Sequence, residues 1–85
     1  MRLEFTRRFR RDFLGLPEAI RNQGEKQLAL LLHDPRHPSL RLKKIRGTGE
    51  VWEIRVTRGD RLTLSISSDV YILRKVGTHD TLRQP

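Results

Sequence analysis

The sequence contains no cysteine, and only one tryptophan, one tyrosine and one methionine among its 85 residues. Without thiols there is no disulfide framework, no Cys-based metal site and no thiol nucleophile, and nothing in the chain points to an oxidising compartment. Long apolar runs are also missing. None approaches the roughly 20 residues of a membrane span, and the first residues are too charged to carry the apolar core of a signal peptide. The expected location is therefore the cytoplasm, with no membrane partner. Apolar residues make up only 35% of the chain, and a short domain buries a smaller fraction of its surface than a long one. Residues 1–85 are read as a single domain around one thin core, for which a bound partner would be a natural supplement.

What the sequence does have is positive charge: 18 Lys and Arg against 10 Asp and Glu, a formal net charge of +8. Such a surface attracts polyanions, with nucleic acid or a ribosome first among them, and acidic proteins or anionic membranes as further candidates. A generally basic, solvated surface accounts for the charge excess equally well.

Hydrophobic periodicity changes once along the chain. Leu3 and Phe5 alternate with Arg2 and Glu4 as in a half-buried strand, and Thr6 is placed to cap a helix. Phe9, Phe13 and Leu16 then recur at helical spacing among arginines, predicting a helix over 7–15. Pro17 suits a helix start, and Ile20, Leu28, Leu31 and Leu32 mark the buried side of a second helix over 17–33, weakened at Gly24 and stopped by Pro35 and Pro38. Beyond Pro38 the period becomes two, predicting strands over 40–46, 51–57, 61–67 and 70–76. The turns fall at Gly47-Thr48-Gly49, Arg58-Gly59-Asp60 and Ser67-Ser68-Asp69. The order predicts an α+β domain, with helices on one face of a small antiparallel sheet.

Strand parity places Glu53, Arg55, Arg61, Thr63 and Ser65 on the face opposite Trp52, Ile54, Leu62 and Leu64, with Lys43 or Lys44 beside them. Any antiparallel sheet has a polar outer face, so parity alone does not make this a site. His79 follows the last strand, and Gly77 would permit a sharp exit that turns the imidazole back over the polar face. A histidine near arginines suits phosphoryl chemistry, although a histidine in a terminal loop is more often simply exposed. His33 and His37 have the spacing of a metal pair, but Pro35 breaks the helix that would join them, so no metal and no cofactor is expected. Arg58-Gly59-Asp60 is read as a hairpin turn, and Trp52 as a core residue.

Taken in order, His37-Pro38-Ser39-Leu40, Lys44-Ile45-Arg46-Gly47, Trp52-Glu53-Ile54-Arg55-Val56, Arg61-Leu62 and Ile72-Leu73 followed by Gly77-Thr78-His79-Asp80 resemble the RelE/ParE toxin superfamily over nearly the whole chain. The resemblance implies two N-terminal helices packed on one face of a small, mainly antiparallel twisted sheet. It also implies a type II toxin held by an acidic cognate antitoxin, acting with the ribosome as a metal-independent endoribonuclease on mRNA and so inhibiting translation. By the same resemblance, Arg55 and Arg61 fall on strand positions where such toxins place basic residues, and His79 falls in a loop where the YafQ-like branch has a similar Gly-Thr-His. Two positions depart from the pattern. Glu53 stands where RelE itself has lysine, and the aromatic residue that many members carry after this loop is missing from Leu82-Arg83-Gln84-Pro85.

The expected catalytic set is His79 as acid, Arg55 and Arg61 as stabilisers of the phosphorane, and Glu53 either as base or as the partner that orients Arg55. Lys43, Lys44, Arg41 and Arg46 are expected to hold the RNA backbone. The rival readings on the same fold are a ParE-like protein that inhibits DNA gyrase without cleaving RNA, a member that only binds its antitoxin, and a plain nucleic-acid-binding module.

Overall fold

A computed structural model describes residues 1–47 and 49–78; Thr48 and residues 79–85, among them the expected site residue His79, lie outside the described residues. Strand β1 (Arg2–Phe5) is followed by helices α1 (Arg7–Leu14) and α2 (Glu18–His33) and a 3-10 turn at Pro38–Leu40. Strands β2 (Lys43–Lys44), β3 (Val51–Arg55), β4 (Asp60–Ser67) and β5 (Val70–Thr78) complete the described chain. The sheet runs β1-β5-β4-β3-β2. Strand β1 lies parallel to β5 and every other pairing is antiparallel. This is the α+β architecture that the change of period predicts.

Thr6 joins three elements at the first corner. Its amide donates to the Leu73 carbonyl at 3.1 Å, its hydroxyl donates to the Arg74 carbonyl at 3.1 Å, and the same oxygen accepts from the Phe9 amide at 3.1 Å. One residue thus ends β1 against β5 and caps α1. The turn aims Phe9 inward, and Phe5, Phe9 and Phe13 stack in series with centroids 5.7 and 5.5 Å apart.

The core lies between the helices and one sheet face, where Phe9, Leu28, Leu31 and Leu40 meet Ile54, Val56, Leu62, Leu64, Tyr71, Leu73 and Val76. Each such side chain contributes about 1.5–3 kcal/mol on full burial. Gly24, which reads as a weak point in the helix, has a packing role. A Cβ there would lie 2.8 Å from Phe13 Cε1, so its absence lets α1 close onto α2. Leu32, expected on the buried side, is 38% exposed. Gln27 takes a buried place instead, and its Nε2 donates to the Arg55 carbonyl at 2.8 Å and the Ser39 carbonyl at 3.3 Å. Trp52 has the core parity expected of it and is partly buried.

Two expectations about the strands are corrected. The stretch over 40–46 is not one strand. His37 Nδ1 accepts from the Ser39 amide at 3.1 Å, Pro38–Leu40 winds as a 3-10 turn, and Arg41 takes a left-handed φ of 49°. That path drives Leu40 fully into the core and leaves only Lys43–Lys44 to pair with β3. The chain also does not leave the sheet at Gly77, because β5 runs on to Thr78 and Gly77 stays in the ladder opposite Arg61.

Gln27 is the main polar tie between α2 and the sheet. We expect Gln27→Leu to leave two strand and turn carbonyls without their donor, at a cost of about 1–3 kcal/mol. Thermal unfolding should show a fall in Tm of roughly 5 °C or more; an unchanged Tm would mean the two carbonyls are satisfied without it.

Candidate nucleic-acid interface

The register of β3, β4 and β5 assigns the polar face residue by residue. Arg55 lies opposite Arg61, Glu53 opposite Thr63, and Val51 opposite Ser65. On the far side of β4, Arg61 faces Gly77 and Thr63 faces Lys75. On the near side of β3, Lys43 faces Glu53 while Lys44 faces Trp52. Parity therefore separates the two lysines. Lys43 joins the polar face, whereas Lys44 has the parity of the core and its Nζ lies 3.5 Å from Glu50 Oε1 at the hairpin.

A bulge brings two successive cations of β5 to the polar side, where strict alternation from Leu73 would bring only Arg74. The ladder slips between Thr63 and Leu64, so β5 passes two residues, Arg74 and Lys75, between the core residues Leu73 and Val76. Arg74 Nη1 donates to Ser65 Oγ at 3.3 Å, which holds it on the polar side. The Lys75 amine is pushed below its ordinary pKa by loss of solvation, then by the Arg8 and Arg74 charges, with Asp12 acting in the opposite direction. The sequence signal for this was the three-residue step from Leu73 to Val76, which breaks the period of two.

The expected site residues occupy different states. Arg61 is folded over the β3–β4 turn, its Nη1 donating to the carbonyls of Thr57 at 2.7 Å, Asp60 at 3.0 Å and Arg58 at 3.2 Å. The same turn is tied by the Thr57 hydroxyl, which donates to Asp60 Oδ2 at 2.7 Å. Arg58-Gly59-Asp60 is thus a braced hairpin. The guanidinium of Arg55 makes no ion pair among the described residues, and Arg55 lines a surface depression with Arg41 and with Arg58, a cation that sequence reasoning left in the turn. Arg46 is exposed in the turn after β2.

Glu53 does not orient Arg55: its Oε1 lies 3.3 Å from Lys43 Nζ across the strand pair. Between Glu53 and Lys75 sits Thr63, 1% exposed, with a hydroxyl that has no hydrogen-bond partner among the described residues. His37 caps the 3-10 turn, and among the described residues no three His, Asp or Glu side chains gather as metal ligands would. No described helix is long and apolar enough to cross a membrane.

The arrangement is a sheet face with Lys43, Arg55, Arg61, Arg74 and Lys75 around one carboxylate. It is suited to an extended polyanion and to stabilising charge that develops on a phosphoryl group. No family model matches the sequence, and no curated protein matches it significantly. Solved structures do. The isolated RelE toxin of E. coli is 28% identical, with 89% of this chain and 81% of that one covered and a TM-score of 0.72. The RelE of a RelB-RelE antitoxin-toxin complex from Methanococcus jannaschii matches at 21% identity, 93% of each chain and a TM-score of 0.76. YafQ from E. coli strain BL21(DE3) is 14% identical over 95% of this chain and 96% of that one, with a TM-score of 0.81. With the RelE-like order of helices and strands reproduced over nearly its whole length, the chain has the α+β fold of the RelE/ParE-type toxins.

Proposed function

We propose that this protein is the toxin of a type II toxin-antitoxin system, a cytoplasmic endoribonuclease that cleaves mRNA on the ribosome and so stops translation. The observation that carries the reading is the cationic sheet face, in which strand pairing and the β5 bulge bring Lys43, Arg55, Arg61, Arg74 and Lys75 to one side. The substrate's own 2′-OH attacks the adjacent phosphorus, and the bond to the leaving 5′-oxygen breaks. The products are a 2′,3′-cyclic phosphate and a free 5′-OH. Since the nucleophile belongs to the substrate, the protein must supply a base, an acid and compensation for phosphorane charge, none of which requires a metal.

His79, directly after Thr78, is the proposed acid that protonates the leaving oxygen. Arg55, whose guanidinium is without an ion pair among the described residues, is the stabiliser most ready to meet the phosphorane, and Arg61 contributes from the hairpin with the N–H groups that Nη1 does not use. Glu53 is the candidate base. Lys43, Arg41 and Arg46 extend the contact along the RNA backbone, and Lys44, paired with Glu50 and turned from the polar face, is not part of it.

An acidic antitoxin is the proposed partner. Beside α1, Phe5 is 38% and Leu14 72% exposed, at a groove lined also by Phe9, Phe13, Leu28 and Arg10. Glu25 lines the groove with Arg10, and the chain as a whole carries a formal net charge of +8, so an acidic segment bearing apolar residues gains from the apolar groove and from the basic chain around it. The RelB-RelE complex shows this fold assembled with an antitoxin.

Three outcomes are expected. His79→Ala should leave Tm and RNA binding nearly intact and lower cleavage by about 100- to 10,000-fold, the range of a lost general acid. The assay uses translating ribosomes, maps the cut ends and tests them for cyclic phosphate. Undiminished cleavage would remove His79 as the acid, and gyrase inhibition without cleavage by wild type would move the protein to the ParE-like reading. Arg61→Ala should lower both cleavage and Tm, because the guanidinium also braces the hairpin. Arg61→Lys should recover part of the cleavage and little of the Tm, since an ammonium cannot reproduce the fork. Finally, the acidic product of an adjacent reading frame should raise Tm and suppress cleavage, and the absence of binding by any such product would sink the toxin-antitoxin assignment.

A further inference from the structure

Among the described residues, Glu53 is the one carboxylate that strands β2 to β5 place on the polar face. It is also the least exposed acid in any ion pair there: its side chain is 16% exposed, against 70% for its partner Lys43 and 81% for Glu50 on the same hairpin. Directly opposite it on β4 is Thr63, whose hydroxyl is almost fully buried and without a partner among the described residues. A buried hydroxyl in that state is uncommon, because desolvation is then uncompensated. A cation already neutralised, an anion seated in the middle of a basic face and an unused donor beside it describe an anion site whose occupant is the protein's own side chain.

We propose that the Glu53 carboxylate is an internal stand-in for an RNA phosphate, and that a backbone phosphate of the bound strand displaces it. The phosphate takes over Lys43 Nζ and receives the Thr63 hydroxyl, and Glu53 swings away from both. This deepens the endoribonuclease reading and rests on it, since it names where one phosphodiester sits. Displacement leaves the Glu53 carboxylate unpaired next to the substrate, as a base must be. It also makes binding weaker and less salt-dependent than the cation count implies. A phosphate that replaces a carboxylate neutralises no new charge, so that contact releases no condensed counterion from the strand.

The experiment uses the whole chain and an uncleavable single-stranded 2′-O-methyl RNA, with affinity measured over a range of salt. Glu53→Gln should bind roughly two- to fivefold more tightly, the worth of one partly exposed ion pair. Its slope of log affinity against log salt should steepen by about 0.7, the value for one more phosphate neutralised on a single strand. Glu50→Gln makes the same change in net charge away from the polar face and should leave the slope unchanged. Thr63→Val, made in the Glu53→Gln chain, should return affinity toward wild type while Tm holds or rises, because the hydroxyl it removes has no partner among the described residues. An unchanged affinity and slope in Glu53→Gln overturns the proposal while the nuclease reading stands. Equal effects of Glu53→Gln and Glu50→Gln overturn it as well, since they would reduce it to net charge. If neither wild type nor any variant binds the RNA, the proposal falls, and the endoribonuclease reading is decided separately by cleavage on translating ribosomes.

Discussion

The polar face depends on how β4 and β5 pair. Their ladder holds register from Asp60 opposite Thr78 to Thr63 opposite Lys75, slips, and resumes at Leu64 opposite Leu73. Without the slip, an uninterrupted two-residue period from Leu73 would turn Val76 away from the core and Lys75 toward it. The bulge keeps both Leu73 and Val76 buried and leaves the two basic residues between them to the outer side and the α1 edge. A local break in backbone pairing thus adds Lys75 to a face on which strict alternation would have left Arg74 alone from this stretch of β5.

The same small core fixes where the helices lie. Thr6 binds the start of α1 to β5, Gly24 brings α1 against α2, and Gln27 ties α2 to the end of β3 and to the turn that buries Leu40. Each is a short, specific contact rather than a large apolar area, as suits a chain of 85 residues that is only 35% hydrophobic. These contacts leave one sheet face uncovered by helices. The arginines of α1 continue the positive charge round the β5 edge, where Arg8 acts on Lys75.

Charge on the uncovered face is not uniform. Arg61 is committed largely to the hairpin it braces, Lys43 to Glu53, and Arg74 to Ser65, while Arg55 makes no ion pair among the described residues. A cation already held by carbonyls or a carboxylate offers less to a substrate than one without such partners, so position on the face does not rank these residues by itself. Their present partners do.

Sequence alone determined the element order, the two helices, the capping Thr6 and the faces of β3 and β4, because local periodicity and capping chemistry are encoded within a few residues. The residues grouped as a site were legible for the same reason: Glu53, Arg55, Arg61 and Thr63 share a parity. Only tertiary structure decided the rest. Whether Lys43 or Lys44 joins the face depends on the register of a two-residue strand, which the left-handed turn at Arg41 sets. The partner of Glu53 is a cross-strand neighbour ten residues away in sequence, not the adjacent arginine that spacing suggests. Gly24 reads as a weakness, and no local pattern marks Gln27, until α1, α2 and β3 are packed together. Periodicity reports which side of an element is apolar. It carries no information on which polar groups meet when two elements dock, since that is fixed by register and packing between segments distant in the chain.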